Sequence, residues 1–140
     1  PYLSPLRGET AADRQAVESA LQEAGLGELA GRLVGEVSGG ERQRAALALA
    51  LAQEPSLLLL DEATAHLDVR HQMALLGVVR RLNQEQGVTV LAALHDVNLA
   101  SLWFERLVVL HEGRIVADGP PREVARPEVW ELAFGCRVRV

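Results

Sequence analysis

Pro55-Ser56-Leu57-Leu58-Leu59-Leu60-Asp61-Glu62 is the stretch on which the fold turns. Four leucines in a row lack the polar alternation of a strand that is wet on one face. They fit a strand buried on both faces of a parallel sheet. Pro55 keeps the preceding helix from running into them, and two carboxylates close the run.

Upstream, Ser38-Gly39-Gly40-Glu41 places a hydroxyl at an N-cap and a glutamate at the third helical position, a capping box that opens a helix ending before Pro55. Thr10-Ala11-Ala12-Asp13 opens an earlier helix, whose apolar positions Ala16, Val17, Ala20, Leu21 and Ala24 recur at helical spacing and stop at Gly25. The segment from Tyr2 to Glu9, with Pro5 and Gly8, is irregular, and Glu28 to Leu33 is a short helical piece. Downstream, Asp68 caps a long helix from about Val69 to Gln84, closed by Gly87. Val88 to Leu94 is the next buried strand, followed by a helix over Val97 to Phe104. Leu107 to Leu110 and Arg114 to Ala117 flank Glu112-Gly113 and predict a hairpin, and Glu128 to Phe134 is helical. Strands alternating with helices give an α/β class with a parallel sheet, preceded by a helical piece.

The chain has 140 residues, 49% of them hydrophobic, enough to build one globular core. Its longest apolar run, Ala45 to Ala52, falls far short of the ~20 residues that span a bilayer. Net charge is −5 and the arginines are scattered, so the basic stripe of a nucleic-acid binder is missing. Cys136 is the single cysteine, which excludes an internal disulfide. All 14 basic residues are arginine. The phosphate loop G-x-x-x-x-G-K-[ST] needs a lysine for the outer phosphates, and these 140 residues do not contain it.

Two places carry chemistry. At Ser38-Gly39-Gly40, open backbone N–H groups and the positive end of a helix dipole, with no side chains at either glycine, form a seat for an anion such as phosphate. Those three residues alone more readily make only a turn and a cap, since capping boxes are common. At the C-terminal edge of the first strand, where open α/β sheets bind ligands, Asp61 can hold a nucleotide-bound Mg2+ while Glu62 can orient and deprotonate a water; the pair alone would as readily be a solvated strand end. Gly25-Leu26-Gly27-Glu28-Leu29-Ala30 fits a dinucleotide pattern but follows a helix where that motif needs a strand, so it terminates the helix. His66 and His71 have no Cys or further His beside them, and no transition-metal site is expected. Trp103, Phe104, Trp130 and Phe134 are expected in the core or at a subunit contact.

Taken in order, V-S-G-G-E-R-Q-R from Val37, L-L-L-L-D-E-A-T-A-H-L-D from Leu57 and A-L-H-D from Ala93 resemble the motif series of ABC-type ATPases. These are the signature motif, the Walker B strand with the D-loop, and the H-loop, and the resemblance covers essentially the whole chain. It implies roles for single residues. Asp61 would help hold Mg2+, Glu62 would be the general base, and His95 would contact the γ-phosphate and support Glu62. Asp68 would sit in the loop crossing between subunits. Ser38, Gly39 and Gly40, with Glu41 beside them, would meet the γ-phosphate of ATP held by a second ATPase subunit. Val37, Glu41 and Ala63 depart mildly from the family pattern, where Leu, Gln and Pro are usual. The phosphate loop, the Gln-containing loop and the adenine-stacking aromatic belong to the N-terminal half of the family domain and have no match here.

The resemblance therefore implies a C-terminal portion of one ABC ATPase domain over 1–140, with a helical signature subdomain at 1–54 and part of the core at 55–140. Thr64 to Gln72, His95 to Ala100, and Ala133-Phe134-Gly135 before Val138-Arg139-Val140 are similar to the importer branch for iron-siderophores, haem and cobalamin. Such a subunit binds ATP and Mg2+, pairs as a homodimer, and works from the cytoplasmic face of the membrane through transmembrane permease subunits. The chain alone is expected to be inactive and to self-associate. The ATPase head of a chromosome-organising or DNA-repair protein shares Ser-Gly-Gly and Asp-Glu motifs, but no heptad pattern precedes Ser38 and the chain is acidic. A non-catalytic regulatory piece is the other alternative.

Overall fold

The computed structural model describes residues 8–65 and 67–135. His66, Cys136, the segment before Gly8 and the closing 138–140 lie outside them. The chain divides into two compact units, 1–93 and 94–140.

In the first unit, helix α1 (Ala11–Glu23) starts where the sequence predicts. The Thr10 hydroxyl accepts from the Asp13 N–H at 3.2 Å, and Asp13 Oδ2 accepts from the Thr10 N–H at 2.9 Å. Both are donors that the first helical turn leaves over. The helix ends at Ala24, and Gly25 takes φ of 67°, where glycine carries no steric penalty. The predicted helical piece at Glu28 to Leu33 is only a 3-10 turn at Gly27–Leu29, and a second 3-10 turn, Val34–Glu36, follows it. Glycines at 27, 31 and 35 weaken any longer helix there.

Helix α2 (Gly39–Leu51) leads to strand β1 (Leu57–Asp61), helix α3 (Val69–Gln86) and strand β2 (Thr89–Ala93). The strands pair in parallel with Leu57 opposite Thr89 and Asp61 opposite Ala93. Helix α3, capped by Asp68 and stopped by Gly87 at φ of 69°, is the crossover that a parallel pair requires. One core unites the helical part and the strands. Leu47, Ala48 and Leu51 of α2 meet Leu58 of β1 and Leu75, Val78, Val79 and Leu82 of α3, with Ala20 and Ala24 from the end of α1.

The strands are covered on one face only, where the apolar run predicts cover on both. Leu58 is 3% exposed, whereas Leu57, Leu59 and Leu91 are 52%, 65% and 62% exposed. Side chains alternate across a strand, and the helices cover the face that carries Leu58. Among the described residues nothing covers the other.

In the second unit, Asp96 caps helix α4 (Val97–Trp103), accepting from Asn98 and Leu99 at 2.8 and 3.0 Å. Strands β3 (Leu107–His111) and β4 (Arg114–Gly119) form the predicted hairpin. Its two turn residues, Glu112 and Gly113, have φ of 48° and 74°, the twist a two-residue turn needs. Helices α5 (Pro121–Val124) and α6 (Pro127–Phe134) follow, and α5 is absent from the sequence reading. Leu107, Val109, Val124 and Trp130 form this unit's core, with Phe104 packed beside them. Trp130 and Phe134 lie 6.0 Å apart between ring centroids.

Candidate functional site

The N-terminus of α2 is built by its cap. Ser38 Oγ accepts from the Glu41 N–H at 3.3 Å, and Glu41 Oε2 accepts from the Ser38 N–H at 2.7 Å. The backbone N–H of Ser38 first, and its hydroxyl second, hold the Glu41 carboxyl below the usual carboxylate range. With the Glu41 donor used by the cap, the N–H groups of Gly39 and Gly40 remain at the positive end of the helix without intrahelical acceptors. Gly39 is exposed, and a Cβ there would meet nothing within 4 Å among the described residues. Gly40 is buried.

Asp61 and Glu62 lie at the C-terminal end of β1, both exposed. The Glu62 N–H donates to the Ala93 carbonyl at 3.2 Å, tying the residue to the end of β2. Glu62 has φ of 49°, the left-handed region that a residue with a Cβ enters at a cost and that is enriched at functional sites. A turn follows, in which the Ala65 N–H donates to the Glu62 carbonyl at 2.8 Å. Thr64, in that turn, is buried, and its carbonyl accepts from Gln72 Nε2 of α3 at 3.2 Å.

Asp68 caps α3 with one oxygen, Oδ1, which accepts from the His71 backbone N–H at 2.9 Å and lies 2.8 Å from His71 Nδ1. These contacts, the backbone one first, hold the Asp68 carboxyl below its ordinary range. The His71 ring lies against Gly40, so the structure brings the start of α2 and the loop carrying Asp68 together. His95 belongs to the second unit, in the loop between β2 and α4.

Sequence reasoning named His71 only in setting aside a metal site, and Thr64 and Gln72 only within the importer-branch likeness; it missed the contacts they make. No periodicity marks the contact of His71 with Gly40, which lie far apart in the chain. The helical spacing that places His71 and Gln72 near the start of α3 was the one signal available. Among the described residues, no three His, Cys, Asp or Glu side chains gather closely enough to enclose a metal ion by themselves, and no helix is long and apolar enough to cross a membrane.

Residues 3–65 match the family model described as ABC transporter. The chain is 44% identical to the ferric enterobactin transport ATP-binding protein FepC of Escherichia coli (strain K12), covering 91% of this chain and 47% of that protein. It is 46% identical to the hemin import ATP-binding protein HmuV of Rhodopseudomonas palustris (strain HaA2), covering 89% and 50%. The dimeric structure of MJ0796, a bacterial ABC transporter cassette, superposes with a TM-score of 0.70 at 32% identity, covering 83% of this chain and 51% of that one. The chain thus spans about half the length of the curated relatives it matches. The ordered motifs, the strand–helix–strand unit that carries them and these likenesses agree, and the chain belongs to the ABC transporter family, as a stretch of its ATP-binding domain.

Proposed function

We propose that this chain is the signature-bearing part of an ATP-hydrolysing subunit that powers an ABC importer of iron-siderophore, haem or cobalamin. The observation that carries the reading is the pairing of an open helix N-terminus at Ser38-Gly39-Gly40 with carboxylates at the C-terminal end of β1, in one unit. The names of FepC and HmuV support iron and haem as cargo classes.

In this reading 1–54 acts as the helical signature subdomain and 55–140 as part of the ATPase core. Mg2+ accepts carboxylate oxygen, usually from one or two side chains, and takes its remaining ligands from water and phosphate. Asp61 fits that role without a three-residue cage. Asp61 would hold the Mg2+ that accompanies ATP, and the ion would supply charge neutralisation for the phosphoryl group. Glu62, adjacent to Asp61, orients a water and takes its proton, and His95 contacts the γ-phosphate. Ser38, Gly39 and Gly40 accept the γ-phosphate of ATP held by a second copy: the Gly39 and Gly40 amides donate to its oxygens, and the Ser38 O–H turns to it from the Glu41 carboxylate. Asp68 reaches across the same interface. The subunit sits at the cytoplasmic face of the membrane, carried by permease subunits.

The test uses a subunit that carries a phosphate loop alongside this stretch. Ser38→Arg fills the seat, so steady-state ATP hydrolysis falls while ATP binding to the monomer stays nearly intact. An equal loss of monomer binding would show that Ser38 acts on its own subunit's nucleotide and would overturn the proposed exchange between copies.

A further inference from the structure

The two glycines of the seat are there for different reasons. Neither is among the residues with positive φ, so backbone freedom explains neither. Gly39 faces open space, as an approaching ligand needs. Gly40 is closed off: a Cβ there would lie 2.6 Å from His71 Cγ and 2.8 Å from His71 Nε2, closer than real Cβ contacts come. The imidazole occupies the space a side chain at position 40 would take.

His71 is fixed from its other side as well. Nδ1 lies 2.8 Å from Asp68 Oδ1, and the same oxygen accepts from the His71 backbone N–H. An ionised carboxylate only accepts, so Nδ1 carries the proton and the ring plane is set by that bond. Its 30% side-chain exposure leaves the ring partly covered. One side chain therefore touches both the start of α2 and the loop after β1.

We propose that His71 is a positioning residue whose imidazole braces the Asp68 carboxylate against Gly40, so that the anion seat and the loop carrying Asp68 keep one relative geometry. The inference rests on the proposed function for its catalytic consequence, but the brace itself is a statement about this chain. A phosphate drawn onto the Gly39 and Gly40 amides pulls on the backbone under the ring, and the ring passes that displacement to the carboxylate it holds. Misplacing reacting groups by about 1 Å costs on the order of 100-fold in rate, so a loose brace shows in turnover before it shows in nucleotide affinity.

In the chain labelled with 15N-glycine, His71→Ala should move the Gly40 amide resonance and leave Gly77, which sits in α3 with nothing near it, close to its place. Gly40→Ala should lower the melting temperature, and adding His71→Ala should recover most of that loss, because the smaller side chain vacates the space. In a subunit carrying a phosphate loop, His71→Ala should lower kcat about 10- to 100-fold while KM for ATP changes less than about twofold. His71→Asn keeps a donor for Asp68 without the ring, and His71→Phe keeps the ring without the donor. Each should restore only part of the rate.

An unmoved Gly40 resonance, additive melting losses, or full turnover in His71→Ala would each overturn the brace. If Ser38→Arg leaves hydrolysis intact while Gly40 still responds to His71→Ala and the melting losses remain non-additive, the seat reading fails and the contact stands.

Discussion

The chain by itself should associate through the uncovered face of its parallel strands, and Leu59→Lys should disperse it. Leu57, Leu59 and Leu91 share that face and are 52%, 65% and 62% exposed. Burying a leucine completely is worth about 1.5 to 3 kcal/mol, so the exposed share of each represents about 1 to 2 kcal/mol and the three together about 3 to 5. That rivals the lower end of a domain's net stability, about 5 to 15 kcal/mol, and an uncovered apolar strand surface of this kind draws a second copy onto it. Lysine at 59 gives up one leucine's share and sets a charge in the contact, so association should weaken at least about tenfold, the equivalent of ~1.4 kcal/mol. Light scattering and sedimentation at micromolar concentration read the assembly, with Leu49→Lys as the control: Leu49 is 72% exposed on α2, whose Leu47, Ala48 and Leu51 pack on the opposite, Leu58-bearing side. A wild-type chain that is monomeric and melts cooperatively would refute the reasoning, as would a Leu59→Lys chain that associates like wild type.

Leu75→Ala should cost about 2 to 5 kcal/mol in urea unfolding, because Leu75 is 1% exposed at the centre of the larger core and its cavity cannot collapse fully. Thr10→Ala removes the acceptor for the Asp13 N–H and should cost about 0.5 to 2 kcal/mol in the same assay. Stability should fall on acidification. Asp13, Glu41, Asp68 and Asp118 are all held below the usual carboxylate range, by Thr10, Ser38, His71 and Arg106 respectively. Their stabilising contribution is therefore present above the unfolded-state values, near 4, and is lost as pH falls through them toward the lower folded values. The urea midpoint should drop between pH 6 and pH 3, and Asp118→Asn should shrink the drop; an unchanged midpoint would contradict it. The purified 140-residue chain should show no Mg-ATPase turnover, and steady hydrolysis abolished by Glu62→Gln would overturn that expectation.

Local chemistry was the legible part of this fold. Thr10, Ser38 and Asp68 each announce a helix because a short polar side chain followed by free N–H groups has one good use, and all three cap as read. The hairpin follows from Glu112-Gly113, where glycine admits the positive φ that a two-residue turn needs. The four-leucine run gave the strand and its parallel partner, but it reads as burial on two faces and cannot say which neighbours are at hand. Helix α5 escaped notice because one turn closed by Val124 is too short for a period. In the candidate site, the seat and the strand-end carboxylates stand out as residue types in a pattern. The left-handed Glu62 and the His71 ring on Gly40 are products of tertiary packing, and no spacing encodes them.

The Ser38 cap separates two properties that most substitutions would alter together. Its oxygen accepts from the Glu41 N–H, while its single proton, on which the Glu41 carboxylate also draws, is the one that a ligand at the helix end would compete for. Aspartate at this position would keep the acceptor, and so the helix, but would carry a fixed negative charge where the hydroxyl had a proton to give. A phosphate would then meet repulsion at an intact fold. Threonine would keep both functions at the expense of one added methyl. Position 38 is therefore a place where the proposed anion seat can be weakened without disturbing the scaffold that presents it.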